Sequence, residues 1–122
     1  MLIRFKKNME KIAMGLLSFM PDAKDDVKKL QSTIREYESN PDWHLYLWKE
    51  DDDVLGIIGV KISDDNVIIQ HISVNPSHRN VGIGKKMIKE VKNLYGKNYV
   101  ILAEASIQSY FEHCNQLDKT AE

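Results

Sequence analysis

The stretch that decides the fold is Val74-Asn75-Pro76-Ser77-His78-Arg79-Asn80-Val81-Gly82-Ile83-Gly84-Lys85-Lys86. A hydrophobic run ends at Asn75-Pro76, and Arg79-x-x-Gly82-x-Gly84 leads directly into an amphipathic helical pattern. Glycines let backbone N–H groups approach a bound anion, and a helix start adds unpaired N–H donors and a partial positive charge. A strand, this loop and a helix in succession predict a phosphate or pyrophosphate site. Arg79, Lys85 and Lys86 supply nearby cations.

Outward from this stretch, the chain predicts an α+β domain with the order βααβββαβα. The predicted strands are Leu2–Phe5, Trp43–Lys49, Val54–Ile62, Val67–Val74 and Asn98–Ala103. The predicted helices have their apolar stripes between Met9 and Met20, Val27 and Tyr37, Ile83 and Tyr95, and Ile107 and Leu117, with Asn8 and Asp22 as N-caps of the first two. Two polar turns predict an antiparallel meander, and a right-handed crossover makes the last two strands parallel neighbours.

Length and composition limit the number of domains and the classes of function that the chain can have. A chain of 122 residues predicts one domain over 1–122. The 17 basic and 18 acidic residues are interspersed, which argues against a nucleic-acid partner. The one cysteine, Cys114, predicts no disulfide, and no Cys/His cluster has metal spacing. No apolar run of about 18 residues could span a bilayer. We therefore expect a cytoplasmic protein without a membrane or a metal.

The block from Ile72 to Gly84 resembles the GCN5-related N-acetyltransferase (GNAT) family, whose pattern is a strand, Val-x-Pro and (Arg/Gln)-x-x-Gly-x-(Gly/Ala). A second block, Leu102-Ala103-Glu104 through Tyr110 to Cys114, is similar to the last strand and following helix of that family. The resemblance covers nearly the whole chain. It implies the GNAT fold, a mixed sheet with a splay between Val67–Val74 and Asn98–Ala103. It also implies an acetyl-CoA-dependent acyltransferase acting on a primary amine of a small molecule or protein.

The resemblance also implies how acetyl-CoA, or coenzyme A, is held. The pyrophosphate contacts the amides of the glycine loop, and the pantetheine arm pairs with the backbone of the preceding strand. The cofactor-binding residues implied in this way are Ile72, Ser73, Val74, Arg79, Asn80, Val81, Gly82, Ile83, Gly84 and Lys85. The chain is moreover similar to the small GNAT-like members of bacterial riboflavin operons, which implies a link to riboflavin metabolism.

Acetyl transfer to an amine needs a base, because an unperturbed lysine-like amine has a pKa of about 10.4. Glu104, which follows the last predicted strand, is the first candidate, and its alternative is to cap the following helix. His71 is the second candidate, since imidazole has a pKa of about 6.5; a half-buried structural histidine is the alternative. A backbone amide near Val74 is the candidate donor to the tetrahedral oxyanion.

Two departures from the family pattern bear on activity. Phe111 occupies the position at which many members carry the tyrosine that protonates the leaving thiolate. The usual two further strands have no counterpart after the last helix, so we expect a shortened C-terminus and a homodimer that covers the open strand edge. Two alternatives stay open. One is a catalytically weak or inactive CoA-binding module with a regulatory or structural function. The other is a nucleotide-binding protein, against which Met87 replaces the third glycine of Gly-x-Gly-x-x-Gly.

Overall fold

A computed structural model of the protein describes residues 1–20, 26–78 and 82–108. Five strands within these ranges form one sheet: β1 Leu2–Arg4, β2 Trp43–Glu50, β3 Asp53–Ser63, β4 Asn66–Val74 and β5 Val100–Ala103. Three α-helices in the described part of the chain accompany it: α1 Glu10–Leu17, α2 Val27–Ser39 and α3 Ile83–Tyr95. Short 3₁₀ turns lie at Lys7–Met9, Pro76–His78 and Ala105–Ile107. No helix within these described ranges is long and apolar enough to cross a membrane.

The sheet is mixed, with the spatial order β1-β2-β3-β4-β5. The first four strands are antiparallel neighbours, and β5 runs parallel to β4. Asp51 and Asp64, the first residues of the two polar turns, have φ values of 54° and 53°, a left-handed conformation that Asp tolerates in tight hairpins. The predicted meander, crossover and mixed sheet are confirmed.

Helices cover both faces of the sheet. α1 and α2 pack on one face against Leu45, Leu47 and Ile57, and we call this the α1–α2 face. α3 packs on the other against alternate residues of β3 and β4; we call this the α3 face. Two hydrophobic layers separated by one sheet give the α+β sandwich that the sequence predicts.

Several predicted boundaries are wrong. Asn8 lies inside a 3₁₀ turn, and Met9 is the N-cap of α1 without a side-chain hydrogen bond. Asp26, not Asp22, caps α2: its carboxylate accepts the Lys29 N–H at 2.9 Å. The last strand begins at Val100 rather than Asn98, because the N–H groups of residues 98 and 99 both donate to the Tyr95 carbonyl at the end of α3. The last predicted helix, with Tyr110, Phe111 and Cys114, lies outside the described residues beyond position 108.

Candidate active site

The glycine loop joins β4 to α3 as the sequence predicts. The Asn75 side chain accepts hydrogen bonds from the Ser77 N–H at 3.0 Å and the Ser77 hydroxyl at 2.8 Å, which turns the chain away from the sheet. Arg79, Asn80 and Val81 lie outside the described residues. Gly82 then adopts φ 81° as the N-cap of α3, a conformation that glycine reaches without strain. No atom of the described residues lies within 4 Å of a Cβ placed on Gly82.

The first turn of α3 is suited to an anion. The first intrahelical bond runs from the Lys86 N–H to the Gly82 carbonyl at 3.0 Å, so the amides of Ile83 and Gly84 precede the helical ladder. No described side chain caps this end. The side chain of Ile83 is buried against the α3 face, which fixes the helix on the sheet. Lys86 is not an unattached cation, because its Nζ lies 3.6 Å from Glu50 Oε1.

A β-bulge interrupts β4 before this loop. β3 pairs Val60 with Ile69 and Gly59 with His71, so Gln70 is an extra residue in β4. β5 stops at the same level: its last pair is Ala103 with Ile69, and the Glu104 N–H donates to the Ile69 carbonyl at 3.0 Å. From the bulge to Val74, β4 therefore continues with no described strand on its β5 side.

The bulge also changes which backbone groups face β5. Before it, the Ile69 carbonyl points toward β5. After it, the Asn75 N–H donates to the Leu55 carbonyl on the β3 side at 2.8 Å. Because backbone groups alternate along an antiparallel pair, Ser73 also faces β3, while the backbone of Ile72 faces the side on which β5 has ended. Ile72 belongs to the strand whose backbone the resemblance assigns to the pantetheine arm.

His71 and Gln70 share one partner on α2. The Tyr37 hydroxyl lies 2.6 Å from His71 Nδ1 and accepts a hydrogen bond from Gln70 Nε2 at 3.2 Å. Gln70 is buried, and the Tyr37 and His71 rings meet edge to face at 5.5 Å between centroids. Burial lowers the pKa of His71 to about 4, and the charge of Lys29 adds to this effect. His71 is therefore a neutral imidazole near pH 7.

Glu104 lies on the same face of the sheet as His71. Ala103, which pairs with Ile69, packs toward the α3 face. The next side chain points the opposite way by strand alternation, so Glu104 faces the α1–α2 side. Its charge raises the pKa of Tyr37, which burial has already raised strongly and the Gln70 hydrogen bond lowers in part. Glu104 is exposed and precedes the 3₁₀ turn of Ala105–Ile107, but its side chain makes no capping hydrogen bond there.

A cavity of about 320 Å³ opens on the α1–α2 face, and the Tyr37 ring forms part of its wall. Its lining residues are Arg4, Phe5, Lys7, Tyr37, Glu38, Trp43 and Leu45. Trp43 packs edge-on against Tyr37 with 5.0 Å between ring centroids. Tyr37 thus lines the cavity and also places its hydroxyl against His71. Among the described residues no three His, Cys, Asp or Glu side chains form a group that could hold a metal.

The structure places Glu104 and His71 beside the part of β4 that continues beyond the end of β5 and leads to the α3 amides. Sequence reasoning assigned Tyr37 only to an apolar stripe and did not single out Gln70. One signal for Gln70 was available. The residues of β4 that face α3 are Val67, Ile69, Ile72 and Val74, and the interval of three in a series of two indicates an inserted residue.

Comparison with known proteins defines the class of protein. The profile described as the Acetyltransferase (GNAT) family matches residues 11–113. A Bacillus methanolicus protein described as an uncharacterized N-acetyltransferase in the lysA 3′ region is 52% identical over 115 residues, which cover 93% of this chain and 94% of that protein. The chain therefore belongs to the acetyltransferase (GNAT) family. The expectation of an N-acetyltransferase, an acyltransferase, is confirmed at the level of the family.

Solved structures agree in fold. The aminoglycoside N-acetyltransferase AAC(6′)-Iy in complex with CoA has a TM-score of 0.73 at 16% identity, over 93% of this chain and 81% of that chain. A GNAT family acetyltransferase from Elizabethkingia anophelis with acetyl-CoA bound has a TM-score of 0.68 at 20% identity, over 93% and 72% of the two chains. At these identities the likeness establishes the fold.

Proposed function

We propose that this protein binds acetyl-CoA and transfers the acetyl group to a primary amine. The observation that carries the proposal is that β5 ends level with the Gln70 bulge, while β4 continues beyond it. An extended arm can add beside the backbone of Ile72, on the part of β4 that β5 does not reach. The same edge leads into the loop before α3, where the amides of Ile83 and Gly84 suit a pyrophosphate. The solved relatives with CoA or acetyl-CoA bound support the same cosubstrate.

The remaining cofactor-binding residues are assigned by position. Gly82 leaves space above the helix start for the pyrophosphate, and Lys85 is a cation in the first helical turn. Arg79, Asn80 and Val81 belong to the proposed site from sequence. Ser73 contributes to the strand rather than to the edge, since its backbone faces β3.

In the proposed reaction Glu104 accepts a proton from the acceptor ammonium, directly or through a water. The amine nitrogen then attacks the thioester carbonyl carbon, and a backbone N–H near Val74 stabilises the oxyanion. The C–S bond breaks as the intermediate collapses, the amide nitrogen loses its second proton to solvent, and the CoA thiolate takes up a proton from solvent. A thiol pKa of about 8.5 makes the thiolate a tolerable leaving group without a dedicated acid.

Calorimetric titration with acetyl-CoA tests the binding site, with ATP and NAD as controls. We expect micromolar or tighter binding of acetyl-CoA alone. Gly82→Glu should abolish it, because the carboxylate extends into the pyrophosphate site. Gly82→Asn is the matched control, since Asn tolerates the left-handed conformation and adds no charge. Equal affinity in the wild type and Gly82→Glu would refute the pyrophosphate assignment.

Glu104→Gln tests the base. We expect acetyl-CoA affinity to stay nearly unchanged and turnover near pH 7 to fall by about 10²-fold, with partial recovery at higher pH as the amine deprotonates in solution. Equal rates for variant and wild type across the pH range would remove Glu104 as the base. Acetyl-CoA binding without turnover on any amine would favour the inactive CoA-binding module.

The proposal extends to the amine that accepts the acetyl group and to the oligomeric state of the protein. Similarity to RibT, the small GNAT-like protein of bacterial riboflavin operons, leads us to include amine intermediates of riboflavin biosynthesis in an acceptor panel. We also propose a homodimer, because Val100 and Leu102 on β5 are 57% and 43% exposed and no described strand pairs with the outer edge of β5. Light scattering that finds only monomer at micromolar concentration would contradict the dimer.

A further inference from the structure

The two ring nitrogens of His71 have different surroundings. Nδ1 contacts the Tyr37 hydroxyl at 2.6 Å. That hydroxyl oxygen already accepts the hydrogen of Gln70 Nε2, so the single Tyr37 O–H hydrogen is directed to Nδ1. A neutral imidazole that accepts at Nδ1 carries its hydrogen on Nε2. The hydrogen-bond chain therefore runs from Gln70 through Tyr37 to His71 and leaves an Nε2–H donor at its end.

The described residues leave this Nε2–H donor without an acceptor. Every buried side-chain nitrogen or oxygen among them has a hydrogen-bond partner, and their hydrogen bond to the His71 ring is the one between Tyr37 and Nδ1. Nε2 is therefore not enclosed by the described residues, while the other ring nitrogen is fixed. His71 follows the bulge directly, so the donor lies where β4 and β5 separate and on the face that carries Glu104.

We propose that His71 serves the acetyl transfer as a neutral hydrogen-bond donor through Nε2–H, and that Tyr37 and Gln70 are positioning residues that fix this tautomer. The proposal rests on the proposed function and revises the assignment of His71 as a base. Glu104 and His71 then divide the work: the carboxylate accepts the amine proton, and the imidazole donates to the negative charge that develops on the thioester oxygen or on the leaving sulfur.

The division is chemically consistent. His71 transfers no proton in this scheme, so the proton balance of the reaction is unchanged: two protons leave the ammonium nitrogen, the first through Glu104 and the second to solvent, and the thiolate takes up one from solvent. A donor that stays neutral must resist protonation near pH 7. Burial and the positive charge of Lys29 on α2 keep the pKa of His71 low, while Tyr37 and Glu104 are the other titratable groups facing this site.

Imidazole nitrogen NMR of the free, ¹⁵N-labelled protein tests the tautomer without any substrate. At pH 7 we expect His71 to be protonated at Nε2 and unprotonated at Nδ1. His44 is an internal reference for this tautomer, because its Nε2 lies 3.0 Å from the Pro41 carbonyl, which only accepts. In Tyr37→Phe, His71 should become a mixture of tautomers while the His44 signals stay unchanged. A His71 protonated at Nδ1 with a bare Nε2 would overturn the proposal and restore the base.

Turnover of the acetylated amine gives the second measurement. Tyr37→Phe should lower kcat about 3- to 10-fold, the range of one hydrogen bond, with little change in the KM for acetyl-CoA. His71→Ala should lose about 10²-fold, as expected for a donor to a developing charge. His71→Gln keeps an N–H donor without a basic nitrogen and should retain more activity than His71→Ala.

The control is Tyr95→Phe, which removes the corresponding hydroxyl from a second tyrosine–histidine pair, Tyr95 with His44, within the described residues. Its kcat should match that of the wild type. Equal losses in His71→Gln and His71→Ala, or wild-type kcat in Tyr37→Phe, would overturn the proposal. If the wild type itself neither binds nor turns over acetyl-CoA, the proposed function fails instead, whatever tautomer His71 shows.

Discussion

Two tyrosine–histidine hydrogen bonds lie on opposite faces of the same sheet. On the α1–α2 face Tyr37 contacts His71 Nδ1 at 2.6 Å, and on the α3 face Tyr95 contacts His44 Nδ1 at 2.8 Å. The decisive difference is the second ring nitrogen. His44 Nε2 donates to the Pro41 carbonyl at 3.0 Å, whereas His71 Nε2 has no hydrogen-bond partner among the described residues. We call the His44 cluster closed, because both ring nitrogens of His44 have partners. The His71 cluster instead leaves an Nε2–H donor.

The closed cluster is a chain of three side chains. Because His44 must carry its hydrogen on Nε2, its Nδ1 accepts from the Tyr95 hydroxyl, which in turn accepts from Tyr46 at 2.6 Å. Tyr99 packs edge-on against Tyr95, and the Arg4 guanidinium lies 5.5 Å above the Tyr46 ring. Each hydrogen in this chain has an acceptor, so the cluster joins β2 to the end of α3. In our proposal, the feature that distinguishes His71 from His44 is an Nε2 without a described partner beside the end of β5, rather than a tyrosine partner.

The largest expected effect comes from Gly59→Ala, which breaks only the His71 cluster. A Cβ at Gly59 would overlap the Tyr37 hydroxyl, so the tyrosine must leave its contact with His71. We expect a loss of roughly 3 kcal/mol in the free energy of unfolding, the upper range for overpacking, and a mixed His71 tautomer. Urea denaturation measures the first and imidazole NMR the second.

Gly15→Ala in α1 is the matched control for this substitution. Apart from its own helix backbone, no atom of the described residues lies within 4 Å of the added Cβ, so the substitution should stabilise the protein by about 0.5 to 1 kcal/mol through the helical preference of alanine. A Gly59→Ala variant as stable as the wild type would show that Tyr37 can move away at no cost in free energy. The hydrogen bonds of the His71 cluster would then not hold the imidazole in one position.

The next effect separates the two histidines by pH. Burial lowers the pKa of both imidazoles below the usual value, and it lowers that of His71 to about 4. The unfolded chain protonates them below about pH 6.5, so lowering the pH stabilises the unfolded state, from that value down to the folded pKa. Between pH 7 and 5 the His71 share is about 2 kcal/mol.

Urea denaturation at both pH values, in the wild type, His71→Gln and His44→Gln, measures these shares. Subtracting each variant from the wild type cancels the carboxylates that titrate in the same range. His71→Gln should remove the larger part of the pH dependence. A larger change in His44→Gln would mean that the half-buried His44, not His71, is the more strongly desolvated ring.

These clusters also show where sequence reasoning succeeded and where it stopped. The loop from Asn75 to Gly84 predicted the strand–loop–helix unit because glycine, proline and apolar spacing act locally. The same spacing placed Ile12, Val27 and Leu94 on buried stripes, yet they are 47%, 58% and 56% exposed. The predicted apolar stripe of each helix included residues beyond the part of the helix that packs against the sheet.

The hydrogen bonds of the site could not be predicted in the same way. Tyr37 and His71 are 34 residues apart, and their contact depends on how α2 lies across the sheet and on the missing side chain of Gly59. Glu104 could be placed because it follows a strand, whereas its face depends on the register of β5 against β4. Local patterns fix elements, and only the packing of elements brings polar atoms from distant segments together.

The smallest expected effects come from substitutions in the closed cluster around His44, which test whether its hydroxyl groups contribute only to stability. Tyr95→Phe removes the hydroxyl between His44 and Tyr46 and leaves an acceptor and a donor unmatched, which should cost about 1 to 2 kcal/mol of unfolding free energy. Tyr46→Phe removes only the terminal donor and should cost about 0.5 to 1 kcal/mol. Both should leave kcat and the His71 tautomer unchanged, in contrast to Tyr37→Phe. Denaturation and steady-state kinetics on the three variants measure this contrast. A Tyr95→Phe variant that loses as much turnover as Tyr37→Phe would contradict the distinction between the two clusters. Both tyrosine–histidine pairs would then act only through the stability of the sheet.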